Sequence, residues 1–265
     1  MMNRLLITGA GGNLGRQMRA RLGDLAEIVR LADRGNMEPA GQNEEVVTCD
    51  LGDAEAVSKM VEGCDAIVHF GGQPVEAPWS VVKNANIDGM YNLYEACRIH
   101  GCNRVVFASS NHAVGFFRQD EVIDNTIYPK PDGLYGVSKV FGEMIASMYF
   151  HKFGIETASV RIGSCFPEPS NHRALSTWLS FDDLERLIRR CLDVPKLGCP
   201  VIYGNSANTA NFWDNSKVAW LGWKPQDNAE DYRAEVDAAR EKPAADAPDV
   251  VYQGGGFTAD GIHQE

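Results

Sequence analysis

Near its beginning the chain reads Arg4-Leu5-Leu6-Ile7-Thr8-Gly9-Ala10-Gly11-Gly12-Asn13-Leu14-Gly15. The apolar run Arg4–Ile7 predicts a buried strand, and a helical pattern of leucine and methionine follows the glycines. A glycine-rich turn between a strand and a helix lets the backbone approach a pyrophosphate, and the helix N-terminus offers N–H donors to it. The stretch therefore favours a dinucleotide-binding unit over a turn that merely tolerates glycine.

The same strand-then-helix rhythm continues through the first half of the chain. Four more apolar runs each stop at an aspartate, glycine, serine or cysteine: Ile28–Ala32, Glu45–Thr48, Ala66–Phe70 and Arg104–Ala108. Near-continuous apolar strands that alternate with helices are typical of a parallel sheet covered on both faces. We therefore predict an α/β fold, a Rossmann-type doubly wound parallel sheet, with its ligands at the carboxyl ends of the strands.

After residue 164 the rhythm loosens, and this change sets the predicted boundaries. We predict a dinucleotide-binding Rossmann domain over residues 1–164 and a small C-terminal substrate-binding lobe over 165–241, packed on the sheet edge within one structural unit. Ser180 followed by Asp183 predicts the start of a helix in that lobe. Residues 242–265 are rich in proline, alanine and aspartate at their beginning, which predicts an exposed C-terminal arm.

Composition and charge exclude several classes of function. Hydrophobic residues make up 44% and charged residues 23% of the 265, which is ordinary for a globular protein. The net charge of −11 argues against nucleic acid or an anionic membrane as a partner. The seven cysteines are odd in number and lack a disulfide or metal spacing, and no secretory signal is visible, so we expect a cytoplasmic protein without a metal.

Two aspartates bear on the choice of dinucleotide. Asp33 ends the second apolar run 18 residues after Gly15, close to the spacing of roughly 20 expected for a carboxylate on the adenosine ribose. Asp50 ends the third run, where a contact with adenine is expected. Because Asp33 would repel a 2′-phosphate, we predict NAD, although the adjoining Arg34 could accommodate that phosphate.

A tyrosine and a lysine lie four residues apart, on one face of a predicted helix: Tyr135 and Lys139. A surface Tyr–Lys pair has the same spacing, but Ser110 ends the preceding strand 25 residues before Tyr135. An alcohol oxidation needs a base, and an ammonium group and an oxidised nicotinamide both lower the pKa of a phenol. We predict that Tyr135 is the base, that Lys139 lowers its pKa and holds the nicotinamide ribose, and that Ser110 binds the reacting oxygen.

Several segments together resemble the extended short-chain dehydrogenase/reductase family. They are Thr8–Gly15, the strand ends at Asp33 and Asp50, Asn86–Gly89, Ser109-Ser110, Tyr135–Lys139 and Leu221–Pro225. Within that family, SSNHAVGF (109–116), PDGLYGVSK (131–139), VRIGSCFPEP (160–169) and RALSTWLS (173–180) resemble the bacterial members that oxidise uronates. The resemblance covers nearly the whole chain.

The resemblance implies oxidation of glucuronate or galacturonate at C1 by NAD, giving an aldarolactone that then hydrolyses, and a homo-oligomer. The sequence departs from the family pattern at Pro74, where a serine is expected, so the preferred sugar stays open. The residues expected to bind the cofactor are Gly9, Gly12, Asn13, Leu14, Gly15, Asp33, Asp50, Leu51, Gly71, Asn86, Tyr135 and Lys139.

A uronate offers one carboxylate and several hydroxyl groups to its binding site. An arginine fork suits the carboxylate, and Asn, Ser and His suit the hydroxyls because they both donate and accept hydrogen bonds. Arg173, at the start of the predicted small lobe, is the expected carboxylate ligand. The other expected substrate contacts are Gln73, Ser110, Asn111, His112 and Ser164.

Two alternatives remain open at this point. A sugar-nucleotide epimerase or dehydratase of the same family would share the fold, but such dehydratases usually carry Thr-Asp-Glu near the serine position, where this chain has Ser110-Asn111-His112. A module that senses NAD without turning it over commonly lacks the tyrosine or the lysine, and both are present here. Net formation of NADH separates a dehydrogenase from both alternatives.

Overall fold

The computed structural model describes residues 2–264. Within them the chain forms nine strands: β1 (Met2–Thr8), β2 (Ala26–Asp33), β3 (Glu44–Thr48), β4 (Ala66–His69), β5 (Arg104–Ser110), β6 (Ile123–Asp124), β7 (Glu156–Ile162), β8 (Val201–Gly204) and β9 (Trp213–Asp214). The α-helices are α1 (Asn13–Arg19), α2 (Ala54–Val61), α3 (Trp79–Val82), α4 (Gly89–His100), α5 (Leu134–Phe153), α6 (Ala174–Thr177), α7 (Phe181–Asp193), α8 (Arg233–Ala239) and α9 (Pro248–Val251).

Seven strands form one parallel sheet in the order β3-β2-β1-β4-β5-β7-β8. The order reverses direction between β1 and β4, whose carboxyl ends lie side by side with Thr8 paired to His69. Ligands of open α/β sheets bind at such a reversal. The predicted Rossmann-type doubly wound parallel sheet is confirmed, and the glycine-rich turn after β1 lies at the position where that architecture binds its ligand.

The sheet is covered on both faces, which explains its uninterrupted apolar strands. Leu5 and Ile7 of β1 pack into one core together with α1 and α7, whereas Leu6 packs into a second core with α2, α4 and α5. All three leucine and isoleucine side chains are fully buried. Because alternate side chains of β1 enter different cores, the side chains on both faces must be apolar. The strand therefore shows no alternation of apolar and polar residues.

The segment after residue 164 contributes to the main sheet as well as to the cavity edge. β8 pairs with β7 as the seventh strand, and α7 packs its apolar stripe against the sheet. The predicted start of α7 is present, since the Ser180 hydroxyl accepts from the Asp183 amide at 2.9 Å. A smaller apolar cluster joins α6 and α8 through Leu175, Trp178, Ala229 and Val236. The division at residue 164 stays a prediction.

The C-terminal arm differs from the exposed segment that its composition suggests. Its beginning is largely exposed, but Gln253, Gly254 and Gly255 are buried. The Gln253 side chain accepts from Trp213 Nε1 at 2.9 Å and donates to the carbonyls of Arg118 and Glu121. These bonds satisfy every polar atom of a fully buried amide, so the segment around Gln253 is fixed to the body of the protein.

Candidate active site

The turn after β1 is crowded enough that two of its residues must be glycine. Gly9 has φ of +66°, and a Cβ there would lie 2.7 Å from the Gly71 amide nitrogen. A Cβ on Gly15 would lie 2.1 Å from the carbonyl oxygen of Gly9. The Gly12 amide donates to that same carbonyl at 3.0 Å. Side chains at Gly9 and Gly15 would strike neighbouring backbone, so these glycines let the turn pack tightly, and Gly9, Gly12 and Gly15 line the cavity where a pyrophosphate is expected.

The two predicted aspartates lie beside this turn. Asp33, the last residue of β2, accepts from the amides of Gly11 and Gly35, both at 3.0 Å. Asp50 follows β3 and accepts from the Gly52 amide at 2.8 Å. Both carboxylates are therefore fixed by backbone donors and line the cavity. Arg34, the residue that could accept a 2′-phosphate, lines it too.

Asn86 is placed differently from the other predicted cofactor residues. It is buried, and its amide both accepts from the Gln73 nitrogen at 2.7 Å and donates to the Gln73 carbonyl at 3.1 Å. It also donates to the Ser138 hydroxyl at 2.8 Å. Asn86 is not part of the cavity lining formed by the described residues 2–264. Its observed contacts hold the Gln73 backbone against α5.

All the other predicted site residues line one cavity of about 600 Å³. Its glycine-loop half contains Gly9, Gly12, Asn13, Leu14, Gly15, Asp33, Asp50, Leu51 and Gly71. Its arginine half contains Gln73, Pro74, Ser110, Asn111, His112, Ser164 and Arg173. Tyr135 and Lys139 line the same cavity. The individual roles of these residues stay predictions.

Tyr135 and Lys139 stand near the beginning of α5, both buried. The nearby Ser110 hydroxyl lowers the pKa of Tyr135, but burial outweighs this and raises the pKa of Tyr135 to about 12. Lys139 Nζ donates to the Ala108 carbonyl at 2.9 Å, and burial lowers its pKa to about 8. The sequence predicted that Lys139 lowers the pKa of Tyr135, whereas in the structure removal from water dominates both groups.

A buried glutamate that the sequence analysis missed holds the start of α5. Glu76 accepts from the Leu134 amide at 3.0 Å and from the Tyr135 amide at 2.8 Å. These are the first two amides of the helix, which have no partner within it. A carboxylate at this end also interacts favourably with the helix dipole. Glu76 therefore ties the loop after Gln73 to the backbone of Tyr135.

Arg173 occupies an enclosed position without a neutralising carboxylate. Its Nε donates to the Gln253 carbonyl at 2.9 Å, and Nη2 donates to the same oxygen. With the Asn111 amide oriented to suit its neighbours, Nη2 also donates to Asn111 Oδ1 at 2.7 Å. Within residues 2–264 none of these acceptors is charged. Burial lowers the pKa of Arg173 to about 10, opposed by the more distant charges of Asp249 and Asp132.

The remaining residues of the arginine half are fixed by neighbours as well. His112 Nδ1 lies 2.7 Å from Asp132 Oδ2, and the ring of Phe257 stacks on the imidazole with centroids 3.9 Å apart. The Ser164 hydroxyl is 2.8 Å from that of Thr177. Pro74, which departs from the family pattern, lies in the cavity wall next to Gln73.

Sequence reasoning missed Glu76, Asp132, Gln253 and Phe257. Asp132 stands beside a predicted motif, in Pro131-Asp132-Gly133, so its proximity to the site could have been inferred. Gln253 and Phe257 lie about 80 residues beyond Arg173, in a segment interpreted as an exposed arm. No local pattern marks them, because their contribution depends on how the chain returns to the cavity.

The described residues also bear on the predictions about membranes and metals. No helix within residues 2–264 combines the length and the apolar character that crossing a membrane requires. In the same residues no three His, Cys, Asp or Glu side chains are grouped as metal ligands would be. The absence of a resident metal stays a prediction.

The sheet, the tight glycine turn and the buried Ser–Tyr–Lys set define a dinucleotide-dependent oxidoreductase. Residues 5–190 match the model of the NAD dependent epimerase/dehydratase family. The chain is 55% identical to uronate dehydrogenase of Agrobacterium fabrum, over all of both chains. It is 53% identical to the Pseudomonas syringae pv. tomato enzyme of that name, over 98% of this chain and 94% of the relative.

Solved structures give the same result. A uronate dehydrogenase mutant from Agrobacterium tumefaciens, complexed with NAD, superposes with a TM-score of 0.99 at 55% identity, over all of both chains. The chain belongs to the NAD dependent epimerase/dehydratase family and, within it, to the uronate dehydrogenases.

Proposed function

We propose that this chain oxidises a hexuronate, glucuronate or galacturonate, at C1 and transfers the hydride to NAD. The observation that carries the proposal is Arg173, a largely enclosed guanidinium group that lines the cavity and has only neutral acceptors within residues 2–264. A buried charge without a partner is costly. A substrate carboxylate would complete it, and uronates carry one. The identities of 53–55% to uronate dehydrogenases support the same substrate class.

The cofactor fits the glycine-loop half on grounds of shape and charge. Gly9, Gly12 and Gly15 line the cavity in a tight turn before α1, where a pyrophosphate would lie, and Asp33 stands at the end of β2 where the adenosine ribose is expected. When bound, NAD supplies the hydride acceptor and the positive charge of its oxidised nicotinamide. Gly9–Gly15, Asp33, Asp50, Leu51 and Lys139 would hold it.

Side chains of the protein accept the proton that the C1 hydroxyl loses in the reaction. Tyr135 accepts the proton of the C1 hydroxyl as the hydride leaves C1, and the carbon becomes the carbonyl of an aldarolactone that then hydrolyses. Ser110 binds the reacting oxygen, and its hydroxyl lowers the pKa of Tyr135 and so favours the phenolate. A positioned general base contributes about 10²- to 10⁴-fold to a rate. Because burial raises the pKa of Tyr135 to about 12, we expect activity to increase toward alkaline pH.

The decisive experiment mixes the purified protein with NAD and either glucuronate or galacturonate and follows NADH. We expect NADH to accumulate in proportion to the uronate consumed, with an aldarolactone as the first product. A sugar-nucleotide epimerase would recycle its cofactor and accumulate none. A sensor would bind NAD and leave the sugar unchanged. Either result would overturn the proposal, and comparison of the two uronates measures the sugar preference left open by Pro74.

We further propose a homo-oligomer that forms through α4 and α5. The outer faces of these adjacent helices expose large apolar side chains: Tyr91, Ile99, Val137, Met144, Met148 and Phe153. An exposed apolar patch of this kind is typical of a protein–protein interface. Sedimentation should show an assembly larger than a 29.1 kDa monomer. Met144→Lys should shift it toward the monomer, and a monomeric wild type would contradict the proposal.

The cysteines bear on where the protein works in the cell. We propose that the protein works in the cytoplasm, supported by seven free cysteines, of which six are buried. Burial raises the pKa of the Cys49 and Cys199 thiols to about 11, so they are poor nucleophiles. Cell fractionation tests the location directly, and recovery with secreted proteins would contradict it.

A further inference from the structure

The buried pair His112–Asp132 lies behind the arginine half of the cavity. Asp132 Oδ2 is 2.7 Å from His112 Nδ1, and the aspartate side chain is 1% exposed. Its other oxygen, Oδ1, is buried and has no hydrogen-bond partner within residues 2–264. A buried carboxylate with one unpartnered oxygen is unfavourable for folding. Its presence beside a cavity therefore suggests a functional reason.

The surrounding backbone is shaped to admit this carboxylate. A Cβ on Gly115 would lie 1.9 Å from Asp132 Oδ2, and a Cβ on Gly254 would lie 2.0 Å from the same atom. The Gly254 amide donates to the Gly115 carbonyl at 2.9 Å, which joins the two glycines across the carboxylate. Two separate segments thus leave space for Asp132, and a side chain on either would displace it.

The pair determines which nitrogen of His112 carries a proton. A carboxylate only accepts hydrogen bonds, so Nδ1 must hold a proton to bond Asp132. In the neutral ring Nε2 then carries a lone pair and acts as an acceptor. The ring itself cannot turn freely, because Phe257 stacks on it and Tyr135 contacts it edge-on with centroids 5.8 Å apart. His112 lines the cavity, so Nε2 is the nitrogen available to a ligand.

We propose that Asp132 is a positioning residue that fixes His112 in the Nδ1–H tautomer, so that Nε2 accepts a hydrogen bond from one hydroxyl group of the sugar ring. Asp132 would thereby select substrates that carry a hydroxyl at that ring position. The part that concerns the sugar rests on the proposed uronate activity. The part that concerns the tautomer does not, and the two are tested separately.

The tautomer is tested by ¹⁵N NMR of histidine-labelled protein without substrate, at about pH 8.5, two units above the ordinary imidazole pKa of about 6.5. His112→Gln assigns the signal. We expect wild-type His112 in the Nδ1–H form and Asp132→Asn with a substantial share of the Nε2–H form, because an asparagine amide can donate as well as accept. An Nε2–H ring in the wild type would overturn the proposal whatever the enzyme oxidises.

The role in recognition is tested with glucuronates that lack the hydroxyl at position 2, 3 or 4. We expect Asp132→Asn to raise the KM for glucuronate about 10-fold, as expected for the loss of one hydrogen bond to the substrate, while the KM for NAD stays within about twofold. In the wild type, one deoxy analogue should have a kcat/KM about 10-fold lower than that of glucuronate. In Asp132→Asn, the kcat/KM of that analogue should equal that of glucuronate. The other two should keep their full penalty in both proteins.

Controls separate this role from a general loss of folding. Asp193→Asn, which changes an exposed aspartate on α7, should leave both KM values unchanged. His112→Gln should lose the same deoxy discrimination as Asp132→Asn. If Asp132→Asn instead lowers activity equally on every analogue and raises the KM for NAD as well, Asp132 serves packing alone and the selective role is wrong. If the wild type oxidises no uronate, the proposed function fails while the tautomer result still stands.

Discussion

The glycine-loop half of the cavity comes from the loops that follow β1, β2, β3 and β4, whereas the arginine half is collected from segments as far apart as Gln73 and Phe257. In the first, the geometry is set by backbone, through the tight turn at Gly9 and Gly15. In the second it is set by side chains that other side chains hold in place, as Asp132 holds His112. Binding in the glycine-loop half should therefore weaken when its backbone is crowded. Binding in the arginine half should weaken when a buried polar partner is lost. Tyr135, which is predicted to contact both cofactor and substrate, should matter to both.

Removal of the Tyr135 hydroxyl should have the largest effect. Tyr135→Phe keeps the ring and its packing but removes the base, so kcat should fall about 10²- to 10⁴-fold while NADH binds as tightly as before. Steady-state kinetics and NADH fluorescence titration measure the two quantities. Tyr128→Phe, at an 86% exposed tyrosine, is the matched control. An unchanged kcat would remove Tyr135 from the chemistry, and weak NADH binding would indicate a structural role instead.

Crowding the glycine turn should damage the glycine-loop half alone. In Gly15→Ala the new Cβ would lie 2.1 Å from the Gly9 carbonyl oxygen, so the turn must shift. Overpacking of this kind costs about 1–3 kcal/mol, and the same cost on cofactor binding corresponds to about 5- to 150-fold in the KM for NAD. Gly23→Ala is the control, because its Cβ would have no neighbour within 4 Å. The KM for glucuronate at saturating NAD should hardly change; an equal rise in both KM values would contradict the separation of the two halves.

A change at Asp33 should alter the preference for NAD over NADP. Asp33→Ser removes the charge that repels a 2′-phosphate, so the preference for NAD over NADP should narrow by about 10-fold or more, as expected for one charged contact. The ratio of kcat/KM for the two cofactors measures it. Arg34→Ala should have the opposite effect, because it removes the cation beside that phosphate. A wild type that uses both cofactors equally would show that Asp33 has a purely structural role at the Gly11 amide.

The prediction at Lys139 concerns the free energy of unfolding as well as activity. Burial lowers its pKa from 10.5 to about 8, so below pH 8 the folded protein carries a buried ammonium that the unfolded chain would hydrate. Lys139→Met should therefore raise the free energy of unfolding at pH 7 by on the order of 1–3 kcal/mol, while activity falls.

The sign of that effect can be checked against pH. The stabilising effect of Lys139→Met should fade as pH rises from about 8 to 10.5, where the lysine becomes neutral first in the folded state and then in the unfolded chain. Urea unfolding without cofactor measures it, with Lys59→Met at an exposed lysine as the control. A destabilised variant at pH 7 would mean that the bond to the Ala108 carbonyl outweighs the desolvation.

The two halves also differ in how far the sequence could predict them. Strand ends, glycine spacing and Asp33 are local signals, so the sheet and the glycine-loop half followed from short stretches. Ser110, Tyr135 and Arg173 also lie in recognisable segments and line the cavity as predicted. Asn86 is absent from the cavity lining formed by residues 2–264, and its motif does not reveal that its amide binds the Gln73 backbone, so its predicted contact with the cofactor stays a prediction. Gln253 and Phe257 depend on the return of the chain over the cavity, which is a tertiary property.

The central claim is that Arg173 recognises the carboxylate of the substrate, and the most direct test is the effect of Arg173→Met on glucuronate compared with glucose. A hydrogen bond to a charged group contributes about 1.5–3 kcal/mol, so kcat/KM for glucuronate should fall on the order of 10- to 100-fold. Glucose, which has no carboxylate, should be a poor substrate of the wild type and should lose little further in the variant. Arg233→Met, at an exposed arginine paired with Glu230, is the control and should change neither substrate. Equal losses on glucuronate and glucose, or a wild-type preference for glucose, would contradict the account.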